Sequence, residues 1–181
     1  ATLLKQQPRV TLTPLFTALA DAHRIDNRFA LLLRRPLVHV EDDSADVALL
    51  AAESAMDTTP WNYWTPDKQP QPRIAEAVKL VETVYGRNPD HPQAAHLYIH
   101  LMENGPDPKR AEAAADHLVP LTPTLGHLVH MPAHIYYRLG RWKDSMRVNI
   151  NAARADEKWI KETGDKGMYR YGYYPHNVHF I

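Results

Sequence analysis

Cysteine is absent from this sequence and glycine is scarce, and both absences narrow what the protein can be. Without cysteine among its 181 residues, the chain can form no disulfide and can offer no thiolate to a metal ion or a substrate. Its 7 glycines form neither a phosphate-binding loop nor a dinucleotide-binding fingerprint. No serine lies in the glycine setting of a nucleophile elbow. We therefore expect no nucleotide cofactor and no catalysis by a cysteine or by a serine of that kind.

Excess charge and long apolar runs are missing as well. The 21 basic and 21 acidic residues give a formal net charge of zero, whereas nucleic-acid binding relies on a basic surface that meets the phosphates. No apolar run approaches the ~18 residues that indicate a transmembrane helix. We expect a soluble protein that does not bind nucleic acid, in either the cytoplasm or the periplasm.

The hydrophobic pattern is helical nearly throughout. β-Branched runs are short, and no turn dipeptide joins two alternating segments, so strands are not predicted. Pro72, Pro92, Pro108 and Pro132 each precede a periodic apolar run, as proline does in the first turn of a helix. The predicted helices cover residues 14–34, 44–56, 73–85, 93–104, 108–118, 132–139 and 142–162.

Three residues mark predicted helix ends. Asp107 precedes Pro108 and offers a side-chain oxygen to the exposed N–H groups of the helix that follows. Gly86 and Gly140 fall just past predicted helices, where a left-handed residue commonly ends a helix. The connections between the helices are therefore short, which favours antiparallel neighbours.

The chain also contains an internal repeat. The order Ala-His-aliphatic-Tyr occurs at Ala95–Tyr98 and again at Ala133–Tyr136, 38 positions later. A period of 36–40 residues with two helices in each unit is typical of helical solenoids. Leu139–Trp142 has the residue order of a turn in a tetratricopeptide (TPR) repeat. The predicted fold is all-α, a TPR-like right-handed solenoid of antiparallel helix pairs.

The two ends of the sequence suggest a piece of a longer chain. It opens on Ala1 rather than methionine and closes on the apolar Phe180 and Ile181. We interpret residues 1–181 as one TPR-like helical repeat domain. Its partners would then include the remainder of its own chain or neighbouring repeats.

Histidine is distributed unevenly, with nine of the 11 histidines in residues 91–181. On a helix over residues 93–104, His96, His100 and Glu103 share one narrow face. Two imidazoles and a carboxylate at this spacing can chelate a transition metal. The same spacing also suits histidines that only form hydrogen bonds inside a helix interface.

Two further histidine groups follow. His127 and His130 lie just before Pro132, where we expect an incoming turn, and His134 lies on the first turn of the next helix. His176 and His179 form a third group, three positions apart and next to Pro175. In a solenoid, His96 and His134 occupy equivalent positions of successive units and line one concave surface. The sequence predicts metal ligation by His96, His100, Glu103, His130 and His134, with His127, His176 and His179 as second-ring candidates.

Residues 43–181 resemble a group of bacterial TPR-like proteins of largely uncharacterised function. The resemblance is carried by the four blocks Pro60–Trp64, His96–Glu103, Gly126–Trp142 and Tyr174–Phe180. It implies an α-solenoid with a shared histidine site and names no substrate. Members of the group usually continue on both sides of these blocks.

Two functions remain open at this point. In the first, the histidine-rich concave site binds copper, zinc or iron. If it is catalytic, it is a metal-dependent hydrolase or a copper or iron redox enzyme, with Glu103 as a ligand or base. In the second, the protein is a non-catalytic scaffold that binds a peptide or a partner protein in the same groove.

Overall fold

The computed structural model describes residues 44–181. Within this range the fold is all-helical, as predicted, and the only β-type pairing is an isolated bridge between Trp64 and Pro70. The predicted helix over residues 14–34 lies outside the described range. The α-helices are α1 (Ala45–Met56), α2 (Ile74–Arg87), α3 (Pro92–Glu103), α4 (Glu112–Leu121), α5 (Gly126–His130), α6 (Pro132–Arg138), α7 (Trp142–Thr163) and α8 (Tyr174–His179). A 3₁₀ turn over Pro108–Ala111 leads into α4, and a π-helical turn over Tyr169–Tyr173 leads into α8.

Most predicted helix ends agree with the structure. Helices α3 and α6 begin at Pro92 and Pro132, and the side chain of Asp107 accepts a hydrogen bond of 3.1 Å from the backbone N–H of Lys109. Gly140 has a φ of 74° after α6, which glycine adopts without the strain of a Cβ atom. The prediction for Gly86 is wrong, because α2 continues through it to Arg87.

Two helical segments were not predicted. The expected incoming turn before Pro132 is the short helix α5, and Met131 keeps right-handed helical angles between α5 and α6. Pro132 therefore interrupts the hydrogen-bonding pattern, since it has no N–H, without forcing the preceding chain out of helical geometry. Residues 169–179 are helical too, although their tyrosines, glycine and proline give no helical periodicity.

The packing of the helices brings the histidine-bearing segments together. Helix α3 packs against α2 and α4, its neighbours along the chain, and also against α6. Small buried residues such as Ala94, Ala95 and Ala133 on these helices permit close approach. Helix α7 packs against α5 and α6, and α8 folds back onto α7 and α5. Helices α3, α5, α6 and α8 therefore surround one common region.

Helix α7 is the longest described helix, at 22 residues, and it is amphipathic. It buries Val148, Asn149 and Ala152 against the other helices, while Met146 and Trp159 remain exposed. Among residues 44–181, no helix combines the length and apolar character needed to cross a bilayer.

Candidate metal centre

Helix α3 presents two imidazoles and a carboxylate on one face. His96, His100 and Glu103 lie one turn apart in succession, and the ring centroids of the two histidines are 4.9 Å apart. The side chains of His100 and Glu103 are only 16% and 13% exposed. Since this face is set by the 3.6-residue period of the helix, its composition follows directly from the local sequence.

Four more histidines reach the same region from three other helices. His127 and His130 come from α5, His134 from α6 and His176 from α8. His130 is completely buried. Its ring centroid lies 4.7 Å from that of His134 and 4.6 Å from that of His176.

The six histidines form two groups, which we name triad A and triad B. Triad A comprises His96, His100 and His127, and triad B comprises His130, His134 and His176. Within each triad, one ring nitrogen of every member lies within 4.8 Å of those of the other two. The triads adjoin each other, since the rings of His100 and His134 are 5.6 Å apart and those of His127 and His130 are 6.1 Å apart.

This arrangement differs from the sequence-based expectation in three ways. The four histidines expected to share one ion with Glu103 are divided between the two triads. His127 and His176, expected in a second ring, are members of the triads. His179 belongs to neither: its side chain is exposed and its ring contacts Phe180.

Glu103 connects the two triads. One carboxylate oxygen lies 2.9 Å from Nδ1 of His100, and the other lies 2.8 Å from Nδ1 of His134. Burial by itself would raise the pKa of Glu103, but the hydrogen bonds and charges of these two histidines outweigh it and lower the pKa to about 2. An ionised carboxylate only accepts hydrogen bonds, so both Nδ1 atoms carry a proton, and Nε2 is the atom of each ring that can present a lone pair to a metal ion.

Asn149 on α7 sets the orientation of His130. The Asn149 amide nitrogen donates to the backbone oxygens of Ser145 and Phe180, both at 3.0 Å. Its amide oxygen therefore faces the ring of His130, where it lies 2.6 Å from Nδ1. Because that oxygen can only accept, Nδ1 of His130 carries the proton and Nε2 presents its lone pair to triad B.

Nε2 of His130 is crowded by two other ring nitrogens. Nε2 of His134 and Nε2 of His176 each lie 2.9 Å from it. One lone pair on a ring nitrogen cannot accept a well-directed hydrogen bond from two such neighbours. A single cation among the three nitrogens would satisfy all of their lone pairs at once.

Triad A has unpartnered nitrogens of its own. His96 directs Nδ1 to the side-chain oxygen of Gln93 at 3.1 Å. Nε2 of His96 and Nδ1 of His127 are buried and form no hydrogen bond. Buried polar atoms without a partner are rare in folded proteins and call for a specific explanation.

Burial keeps several of these imidazoles neutral. Desolvation, assisted by the neighbouring histidines, lowers the pKa of His127 to about 4 and that of His130 to about 2. The same causes lower the pKa of His96 strongly and that of His176. Neutral imidazole is the form that coordinates metal ions.

The C-terminal segment encloses the cluster. The ring of Tyr173 stacks on His127 with centroids 4.6 Å apart, and the ring of Phe180 lies 4.9 Å from that of His130 and 5.1 Å from that of His134. These aromatic rings limit access of water to the nitrogens of both triads.

No sequence pattern singled out the residues that support the histidines. Asn149 and Asn151 are alike in sequence context, and only the packing of α7 buries the first and exposes the second. Gln93 lies one turn before His96 on α3, so their contact is local, but the orientation of its amide depends on Glu53 of α1. Their roles depend on which face of each helix meets its neighbours.

Comparison with known proteins gives no assignment. No protein-family model, no curated protein and no solved structure matches the chain. The site is therefore interpreted from its own geometry.

Proposed function

We propose that this protein is a TPR-like helical protein whose histidine cluster binds a transition metal ion, with triad B as the binding site. The observation that carries the proposal is the contact of Nε2 of His130 with two other Nε2 atoms at 2.9 Å. Asn149 and Glu103 engage the Nδ1 atoms of His130 and His134. Supporting partners of this kind orient histidine ligands in metalloproteins.

The spacing of the nitrogens fits a metal site. Zinc–nitrogen bonds of about 2.0–2.1 Å in a tetrahedral site separate two ligand nitrogens by about 3.3–3.4 Å. The observed 2.9 Å separations need to widen by less than about half an ångström to reach this value. Small rotations of the side chains of His176 and His134 would widen the two separations from His130.

The ligand chemistry favours copper, zinc or iron. All three protein ligands in triad B are imidazoles, which bind these ions better than they bind calcium or magnesium. Three protein ligands leave at least one coordination position open, which is typical of catalytic rather than structural sites. A bound metal would supply Lewis-acid activation of water for hydrolysis, or electron transfer if it is copper or iron.

The repeated sequence order in α3 and α6 and the resemblance to bacterial TPR-like proteins support the TPR-like part of the proposal. Helices α3 and α6 both begin at a proline, both carry the Ala-His-aliphatic-Tyr order, and pack against each other. First helices of successive solenoid repeats have this relationship. The scaffold alternative is less favoured, because a peptide in a groove could not contact the fully buried His130.

Metal content tests the proposal directly. Wild-type protein and the variant His130→Ala/His176→Ala are dialysed against chelator-buffered Zn²⁺, Co²⁺ or Cu²⁺, and the bound metal is measured by mass spectrometry. We expect the variant to lose the ion held by triad B. The matched control is His117→Ala/His179→Ala, since His117 pairs with Asp90 away from the cluster and His179 is exposed. The control should keep wild-type metal content.

Two results would contradict the proposal. Wild-type protein with negligible metal under all three conditions would favour the peptide-binding scaffold. Equal metal in wild type and in the triad B variant would show that the ion is held elsewhere. Circular dichroism of each variant checks that the helices remain formed, and His176→Ala alone provides a milder change if the buried His130→Ala proves unstable.

A further inference from the structure

We infer that triad A is a second transition-metal site, so that the cluster binds two ions side by side, joined through the carboxylate of Glu103. This inference builds on the metal site proposed in triad B and concerns a different set of ligands. Its ligand class is a divalent ion that prefers imidazole nitrogen, such as Zn²⁺, Co²⁺ or Cu²⁺.

The first support is the orientation of His96. Gln93 lies one turn before it, and the Gln93 amide nitrogen contacts a carboxylate oxygen of Glu53 at 3.5 Å. This contact directs the Gln93 oxygen towards Nδ1 of His96 at 3.1 Å, so that Nδ1 donates the hydrogen bond. Nε2 of His96 is then a free lone pair, and it is buried without a partner.

The second support is the environment of His127. Its Nδ1 is also buried without a partner, while its ring is held by stacking on Tyr173. The ring of His127 lies 5.3 Å from that of His96 and 6.3 Å from that of His100. Two unpartnered buried nitrogens that meet a third imidazole in this way are explained by an ion that bonds to all three.

The third support is the symmetrical role of Glu103. Its two oxygens accept from His100 of triad A and from His134 of triad B at nearly equal distances of 2.9 and 2.8 Å. The same carboxylate therefore fixes one ligand of each site with Nε2 unprotonated. A carboxylate that oriented only a ligand of triad B would require the contact with His134 and no contact with His100.

The charge balance indicates what else the centre would bind. The six imidazoles are neutral ligands, and two divalent ions would outweigh the single negative charge of Glu103. Uncompensated charge is costly in a site this buried. We expect a small anion such as hydroxide to occupy the open coordination positions between the two ions.

Two double variants separate the sites. His96→Ala/His127→Ala removes two ligands of triad A, and His130→Ala/His176→Ala removes two ligands of triad B. Both leave the hydrogen bonds of Glu103 with His100 and His134 in place. Equilibrium dialysis against buffered Co²⁺ should give two ions per chain for wild type and one for each double variant.

Each alternative outcome has a distinct meaning. One ion in wild type, lost only in the triad B variant, would overturn the second site and leave the proposed function standing. If wild type binds one ion and only the triad A variant loses it, both the triad B assignment and the two-ion centre are overturned. Two ions retained in the triad A variant would overturn the assignment of triad A as a site.

A second measurement does not depend on the folding of any variant. Wild-type protein loaded with two equivalents of Cu²⁺ should show magnetic coupling between the two ions. The coupling is seen either as a half-field electron paramagnetic resonance signal or, where a hydroxide bridge pairs the two spins, as an integrated signal well below two spins per chain. One equivalent should show markedly less coupling. A spectrum of isolated Cu²⁺ ions at two equivalents would contradict the side-by-side arrangement.

Discussion

The side-chain oxygen of Asn149 lies 2.6 Å from Nδ1 of His130, and both residues are completely buried. The contact joins α7 to α5 and fixes which nitrogen of His130 faces the other two histidines of triad B. A buried ligand histidine is usually oriented by such a partner, whose loss weakens metal binding although it never touches the ion.

Replacement of Asn149 tests this orientation. Asn149→Ala should weaken metal binding by about 10- to 100-fold and leave the buried Nδ1–H of His130 unpartnered, which costs about 1–3 kcal/mol of stability. Titration calorimetry with Zn²⁺ and urea unfolding measure the two effects. Asn151→Ala, two residues along the same helix at an exposed position, should change neither. Unaltered zinc affinity in Asn149→Ala would remove the basis for its orienting role.

Metal affinity should fall when Glu103 loses its charge, even if the size of the side chain is kept. In Glu103→Gln the side chain keeps its size but has one accepting oxygen, so it can accept from only one of His100 and His134. The other imidazole would lose its orienting partner, and we expect metal affinity to fall by about 10-fold or more. Glu76→Gln, at an exposed position on α2, is the control. Competition with a chromophoric chelator gives the affinities, and identical values for both variants would argue against the bridging role.

The backbone at Gly126 approaches the side chain of Asp156 closely. A Cβ atom on Gly126 would lie 2.0 Å from Oδ1 of the fully buried Asp156, whereas one on Gly86 would meet nothing within 4 Å. Gly126→Ala should therefore destabilise the protein by about 1–3 kcal/mol through overpacking. Gly86→Ala, inside α2, should be neutral or stabilise it by up to about 1 kcal/mol. Thermal unfolding compares the two, and the reverse order would contradict the packing of α5 against α7.

Asp156 should make stability depend on pH. Burial raises its pKa from the ordinary value of 3.8 to about 6, and the hydrogen bond from Asn177 only partly opposes this. The folded state thus holds the proton more tightly than the unfolded state, so the contribution of Asp156 to stability is greatest below pH ~4 and is lost as pH rises through ~6. The loss is about 3 kcal/mol, at ~1.4 kcal/mol for each unit of pKa.

Replacement of Asp156 by asparagine isolates this effect. Asp156→Asn has no proton to lose, so its free energy of unfolding relative to wild type should increase by about 2.5 kcal/mol between pH 4 and pH 7. Urea unfolding with a chelator present removes any contribution of metal, and the histidine contributions cancel in the difference. A difference that is constant over this pH range would show that Asp156 titrates normally in the folded protein.

Metal removal should loosen the C-terminal segment. His176 is the ligand that α8 contributes to triad B, so an ion there ties α8 to α5 and α6. Zn²⁺ at about 100 times its dissociation constant should stabilise the fold by about 2.7 kcal/mol. Hydrogen exchange of residues 169–180 should slow when Zn²⁺ is added and recover on chelation. His176→Ala should abolish the change, whereas the exposed His179→Ala should retain it.

Local sequence predicted those features that depend on neighbours along the chain. The all-helical class is confirmed, since apolar periodicity and first-turn prolines act within one helix at a time. The shared face of His96, His100 and Glu103 needs only the 3.6-residue period of α3. Gly86 shows the limit of this reasoning, because a glycine near a helix end does not by itself decide where the helix stops.

Tertiary structure alone decided how the histidines combine. Which imidazoles meet depends on the packing of α3 against α6 and on the return of α8 onto α7. These contacts join residues far apart in the chain, such as His130 and His176, which are separated by 46 positions. The tautomer of His130 depends on Asn149, which no local pattern distinguishes from Asn151. The sequence by itself supplied the chemical groups of the site, which are imidazoles and one carboxylate. The fold supplied their division into two triads, because side-chain burial and hydrogen-bond partners are set only when separate helices pack together.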